Sequence, residues 1–489
     1  MCLIENNITR NNYLSLRNGE FNQTNIDDLD GLMTNLGNSL KNTESINSSK
    51  DSITIFFHGG LVDYNSGIGN AQKLYEKFIE QTTTYPIFFI WESGFLETGE
   101  SIINEKIKLL KNIKSEEIFN FILNNILPFI IGKFTLDNNN MGGDNNLVPE
   151  KQSKIQEELK KDIPFIDYKG DENVDEFNRD ELEKFSNRIN KDKLEKIVSK
   201  IRETKDESKI NTEILEVSQD ENDNMGIFST GIIIQKCIDI LKNIISRFQQ
   251  KKDHGIYVTT IEEILRALYL DALGTEFWNT MKNDTKECFN ENKQYAGTNF
   301  LEKLNNIKNI ENKKITLIGH STGAVYICNF LEAINKNKYN NLNNIKFDII
   351  FLAPACTFEK FNETIRFEKN IRNLRIFGMK DEFETKDAIA SIIYPYSLLY
   401  FVSGLLENEP DTPLLGMRKY HENTYPNDKN IEKVKNYLNN KNYSSIWSDE
   451  NQEEGKRSLA KHHGGFPSEP STLESIVYIL NNGFYYAKW

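Results

Sequence analysis

The chain has 489 residues, enough for one large α/β domain carrying insertions or for two to three ordinary domains. Hydrophobic residues make up 38% and charged residues 27%, so a packed core is attainable beside sizeable polar insertions. With 59 Lys and Arg against 72 Asp and Glu, the net charge of −13 argues against a general nucleic-acid binder, which needs a basic stripe.

Five scattered cysteines (Cys2, Cys237, Cys288, Cys328, Cys356) show no C-x-x-C spacing and are odd in number. That pattern disfavours a disulfide framework or a structural zinc site and favours a reducing compartment. The start, Met1 to Asn7, lacks a basic segment followed by an apolar core, so no signal peptide is expected and a cytoplasmic location is the default.

Residues 1–50 are rich in Asn, Asp and Ser and are read as an irregular lead-in with room for an edge strand. Ser52 to Phe57 is a β-branched and aromatic run, ending in His58-Gly59-Gly60-Leu61, and reads as a buried strand feeding a tight loop. Helical spacing follows from Gly67 to about Thr82, then a second buried strand from Tyr85 to Trp91. Strand, helix, strand at this spacing makes a βαβ unit and hence a parallel sheet.

From 96 to 295 the spacing is helical, with polar linkers, and reads as a helical cap or insertion. Ile118 to Phe134 is apolar but interrupted by Asn120, Asn124, Asn125 and Pro128, so a buried helix is expected rather than a membrane span. Asp137 to Asn146 is an Asn/Gly loop. Asp180 to Glu203 carries an apolar stripe about two heptads long, too short for a coiled coil, and reads as an amphipathic helix. Helices are also expected over Ser229–Phe248 and Thr260–Lys282, the latter opening on a capping-box pattern, Thr260 to Glu263.

Sheet signals return with Lys314 to Gly319, then Lys346 to Ala353 and Arg372 to Met379. Ala388–Leu406 is apolar but broken by Pro395 and Gly404 and reads as a buried or pocket-lining segment. A helix near Ile431–Leu438 and a last one announced by Ser471-Thr472-Leu473-Glu474 complete the chain. The expected division is 1–50 lead-in, 51–95 and 296–489 core, and 96–295 insertion.

The chemistry gathers at Gly319-His320-Ser321-Thr322-Gly323, between a strand and a small-residue helix start. In such a turn the serine sits on a strained bend with its hydroxyl at the sheet edge. A bare Gly-x-Ser-x-Gly is a weak signal; this context sharpens it beyond an idle strand-to-helix turn. A serine hydroxyl needs a base, and the base an orienting acid. Six histidines permit elimination. His58 belongs to the glycine loop, His320 adjoins the serine and should point away, His254 precedes it in the insertion, and His421 has no neighbouring loop glycine. His462-His463-Gly464-Gly465 remains, with His463 favoured as the base, His462 the fallback, and a surface doublet or incidental metal ligand the bland alternative. For the acid, Asp381 is the first carboxylate after the Arg372–Met379 strand. Glu382 and Glu384 are its alternatives, and all three could simply be solvated loop charges. Oxyanion donors are expected in the N–H groups of Thr322 and Gly60, with Leu61 second to Gly60.

With His58-Gly59-Gly60 upstream, the Ser321 turn, Asp381 and His463 in that order, the sequence resembles the α/β-hydrolase superfamily over about 50–95 and 295–485. More narrowly it is similar to large uncharacterised bacterial members with a long helical insert. The resemblance implies an α/β fold: a mostly parallel sheet flanked by helices, here with a large helical cap. It also implies serine-dependent hydrolysis of an ester, less often an amide, with no cofactor. A small-molecule ester or lipid substrate is the expected partner, without nucleic acid and without a transmembrane segment. Two other readings share these residues: a peptidase or acyltransferase on the same triad, or a catalytically silent scaffold whose charged 150–222 stretch recruits a protein.

Overall fold

The computed structural model describes residues 7–40, 50–60, 62–92, 117–136, 179–204, 230–273, 275–291, 294–336, 338–389, 394–422, 425, 427–441, 443–451 and 453–484. Contacts divide the chain into two units. One comprises Met1–Asn104, Phe277–Asp387 and Pro413–Trp489; the other comprises Glu105–Glu276 and Ala388–Thr412.

The first unit is built on an eight-stranded sheet in the order β2-β1-β4-β3-β5-β6-β7-β8. Its strands are β1 (Tyr13–Arg17), β2 (Glu20–Phe21), β3 (Ser52–Phe57), β4 (Thr84–Glu92), β5 (Lys314–His320), β6 (Phe347–Leu352), β7 (Ile371–Met379) and β8 (Ser444–Ser448). All neighbours pair in parallel except β2, which returns antiparallel on β1. The central strands are buried along nearly their whole length, which is why they read as continuous apolar runs instead of alternating ones. Register decides where the chemistry lies. Phe57 pairs with Gly319, and His320 with Leu352, so the loops after β3, β5 and β6 leave the sheet side by side at its C-terminal edge.

Flanking helices are α1 (Ile26–Ser39), α2 (Tyr64–Gln81), α3 (Ala296–Asn305), α4 (Gly323–Ile334), α5 (Phe358–Ile365), α6 (Asp381–Glu384), α7 (Lys429–Asn440) and α8 (Pro470–Asn482). Helix α1 begins in a reciprocal capping box between Asn25 and Asp28. At the other end of the chain, the Lys314 ammonium donates to the Ile479 and Leu480 carbonyls in the last turn of α8. This satisfies groups that a helix end leaves open.

Several expectations need correction. The lead-in is not irregular throughout: β1, β2 and α1 join the sheet unit, held partly by Ser15 N–H donating to Thr24 Oγ1. Strand β8 was not foreseen. Ser471 does not cap the last helix; Glu469 does, its carboxylate accepting from the Ser471 and Thr472 N–H groups with Pro470 just inside. Thr260 likewise lies within a helix that begins at Ile256, its hydroxyl donating to the Ile256 carbonyl.

The second unit is helical. Its helices span Glu117–Leu136, Arg179–Arg188, Lys191–Thr204, Thr230–Gln249 and Ile256–Leu273. The stripe expected as one helix over 180–203 is thus two, broken near Asn190, whose side chain accepts from Lys193 N–H. The apolar 388–406 stretch, expected with the core, belongs to this unit, with Leu398–Phe401 running on into a wider π-turn over Val402–Leu406. Its centre holds a buried ionic cluster. Arg247 donates to Glu262 and Glu263 at 2.6 and 2.9 Å, and His254 places one ring nitrogen 2.8 Å from Glu262 and the other 2.7 Å from Asp411. Burial opposes ionisation of Glu262, but His254 and Arg247 outweigh it and hold its pKa down to about 2.

Among the described residues no helix is long and apolar enough to cross a membrane. The Asn/Gly loop at 137–146 and most of the charged 150–222 stretch lie outside the described residues.

Candidate active site

Ser321 stands immediately after β5 with φ of 53°, a left-handed conformation that a residue with a Cβ rarely adopts. The turn tolerates this because its flanks are tight. A Cβ on Gly319 would meet the Gly323 carbonyl carbon at 2.7 Å, and one on Gly323 would strike the Phe57 carbonyl oxygen. Two main-chain hydrogen bonds bracket the serine against the loop after β6. Ser321 N–H donates to Leu352 O at 2.9 Å, and Ala355 N–H donates to Ser321 O at 3.1 Å.

The Ser321 hydroxyl lies 2.9 Å from His463 Nε2. His463 opens a short 3-10 turn, His463–Gly465, ahead of α8. The His463 N–H donates to Asp387 Oδ2 at 2.7 Å, and its carbonyl accepts from His320 Nε2 at 3.0 Å. His462, by contrast, is turned outward, with 76% of its side chain exposed and its Nδ1 2.9 Å from Asp387 Oδ1. Burial, then the neighbouring His320, press the His463 pKa well below its usual value, which keeps the ring neutral and able to accept a proton.

The acid departs from expectation. Asp381 is exposed at the first position of α6, and His463 Nδ1 is buried without a hydrogen-bond partner among the described residues. The chain leaves β7 at Met379 and turns straight into a helix capped at Lys380, which sends positions 381 and 382 to solvent. Glu384, one turn on, is fully buried. Asp387 was not anticipated; it acts on a main-chain N–H, a role that no spacing rule marks.

His58 and His320 are structural. His58 Nδ1 lies 2.6 Å from Gly59 O, its Nε2 accepts from Trp91 N–H, and the Trp91 indole donates back to His58 O. Burial brings both His58 and His320 to about 4, partly offset by their backbone hydrogen bonds. These contacts hold the loop after β3 against the nucleophile turn: a Cβ on Gly59 would come within 3.2 Å of Ser321 Cβ. Among the described residues, the N–H groups of Gly60 and Thr322 have no hydrogen-bond partner. Leu61 lies outside them. His421 packs beside Trp447 and Phe358, away from the serine, with Nε2 2.9 Å from Leu415 O. Among the described residues no three or more His, Cys, Asp or Glu are grouped to hold a metal.

Residues 279–382, spanning β5 to β7, match the family described as alpha/beta hydrolase of unknown function (DUF900). No curated protein and no solved structure matches the chain. The mostly parallel sheet with flanking helices and this match over 279–382 together show an α/β-hydrolase-like fold.

Proposed function

We propose that the chain is a serine hydrolase that cleaves a carboxylic ester through an acyl-enzyme. The observation carrying this reading is the 2.9 Å approach of His463 Nε2 to a Ser321 hydroxyl presented on a left-handed turn. With the neutral ring protonated on Nδ1, Nε2 takes the serine proton as Oγ attacks the ester carbonyl carbon. The oxyanion that forms is received by the N–H groups of Gly60 and Thr322. On collapse the alkoxide leaves with the proton from His463, and water then repeats the sequence on the acyl-serine to release the acid. Asp387 and His320 position the base through its backbone; Asp381 takes no part.

The substrate class is a small-molecule or lipid ester, and the dispersed cysteines support a cytoplasmic setting. A fluorophosphonate probe should label the wild-type protein covalently, and Ser321→Ala should abolish the label together with hydrolysis of short p-nitrophenyl esters. Labelling that persists in Ser321→Ala, or a wild-type protein that takes no label, overturns the proposal.

A further inference from the structure

Cys328 and Cys356 place their sulfurs 3.7 Å apart, and both residues are buried. Neither has a role in the chemistry above, yet both stand on the elements that shape the nucleophile turn. Cys328 is on α4, the helix that begins two residues after Ser321, and Cys356 follows Ala355, whose N–H donates to Ser321 O. We propose that Cys328 and Cys356 form a peroxide-sensitive dithiol whose closure to a disulfide disables Ser321.

The surroundings suit the step. Burial opposes ionisation of Cys328, but hydrogen bonds from Cys356 and Thr364 and the nearby Lys360 ammonium outweigh it and lower its pKa. The Cys328 thiolate attacks one oxygen of hydrogen peroxide, giving a sulfenic acid and releasing hydroxide, which takes up a proton to become water. Cys356 then attacks that sulfur as its thiolate. The S–S bond forms, the sulfenic oxygen leaves as a second water, and the two thiols are oxidised as the peroxide is reduced. Peroxide is small and uncharged, so it can reach a buried pair that a bulky disulfide cannot.

Closure has a mechanical consequence. A disulfide holds its sulfurs about 2.05 Å apart, so the pair must draw together by more than about 1.5 Å. The loop that moves is tightly tethered. Ala353 is left-handed with φ of 42° and donates to Phe377 O, and the Cys356 carbonyl accepts from Leu415 N–H. Side-chain rotation and this loop share the closing movement, and the part that reaches the Ala355–Ser321 hydrogen bond displaces the nucleophile turn, where a misplacement of about 1 Å costs a catalytic group up to about a hundredfold in rate.

The effect on hydrolysis rests on the reading of Ser321 as nucleophile; formation of the bond does not. Reduced protein is treated with hydrogen peroxide, its remaining thiols are alkylated under denaturing conditions, and the digest is searched for a Cys328–Cys356 linked peptide. Fluorophosphonate labelling is timed in parallel. The expected result is the linked peptide, a fall of about tenfold or more in labelling rate, and recovery with dithiothreitol. Cys356→Ala and Cys328→Ser should label normally when reduced and lose the reversible response; melting curves show whether each is folded. Three results overturn the proposal: no linked peptide, unchanged labelling in linked protein, or an equal reversible loss in folded Cys356→Ala. If reduced wild-type protein takes no label, the hydrolase reading falls, while the linked peptide still decides whether the thiols pair.

Discussion

His320 donates through Nε2 to the main-chain carbonyl of His463 across 3.0 Å, so the residue beside the candidate nucleophile holds the backbone of the candidate base. The two rings lie 5.2 Å apart between centroids. Replacing His320 by Phe keeps a ring in the space and removes the donor. Fluorophosphonate labelling should slow by about tenfold, the fold expected from losing one positioning hydrogen bond of about 1.4 kcal/mol. A timed labelling assay on folded protein measures it.

Asp387 ties the same loop from the other side, accepting from the His463 N–H and lying against His462. Asp387→Ala removes both attachments, and labelling should fall by about a hundredfold, as for other displaced catalytic groups. Asp387→Asn keeps one acceptor oxygen and should fall between Ala and wild type. Equal rates in all three proteins would contradict the positioning role.

Asp381 is solvent-exposed at the start of α6. Asp381→Asn should leave the rate of ester hydrolysis within about twofold of wild type, because its exposed carboxylate does not orient His463, whose Nδ1 has no hydrogen-bond partner among the described residues. A loss comparable to that of Asp387→Ala would restore Asp381 as the orienting acid.

His463 is held well below its ordinary value, and His58, His320 and His421 lie at about 4 through burial. A base works deprotonated, so the acid limb of kcat/KM should fall well below pH 6.5. Stability carries the same sign. The unfolded chain binds protons at these histidines before the folded one does, so stability is full above about pH 6.5 and declines as the pH falls towards 4. Each of the three histidines near 4 contributes about 1.4 kcal/mol per pH unit across that window, an order-of-magnitude figure. Urea titrations at stepped pH and a pH–rate profile check the two parts.

In the helical unit, His254→Gln leaves Glu262 and Asp411 facing a neutral amide, both carboxylates being fully buried. Leaving a buried charged group short of a hydrogen-bond partner costs about 3 kcal/mol. The melting transition of the variant should drop accordingly at neutral pH and recover in part in acid, where a carboxylate can take a proton.

Much of this fold was readable from residue order where burial is two-sided. Runs such as Ile53–Phe57, Ile87–Trp91 and Ile349–Leu352 are unbroken because helices or strands cover both faces, and each emerged as a strand. Edge elements were less visible. Tyr13–Arg17 mixes polar and apolar residues, and its Ser15 is buried only because Thr24 is there to receive its N–H. Capping patterns misled where a stronger cap stood nearby, as Glu469 did for α8. At the site, the glycine turn and the histidine loop could be located by motif and elimination. The carboxylates could not be sorted, because whether Asp381 or Asp387 faces inward is set by one turn of helix after β7.

Residues 388–412 leave the sheet unit and return to it, contributing Asp411 and Tyr394 to the cluster around Glu262. The helical unit is therefore woven from two separate excursions of one chain. Trimming the protein at 105 and 276 would leave Arg247, Glu262, Glu263 and His254 in a fragment that lacks Asp411 and Tyr394, two of the partners that meet this buried cluster. Any shortened form of the chain must join both seams.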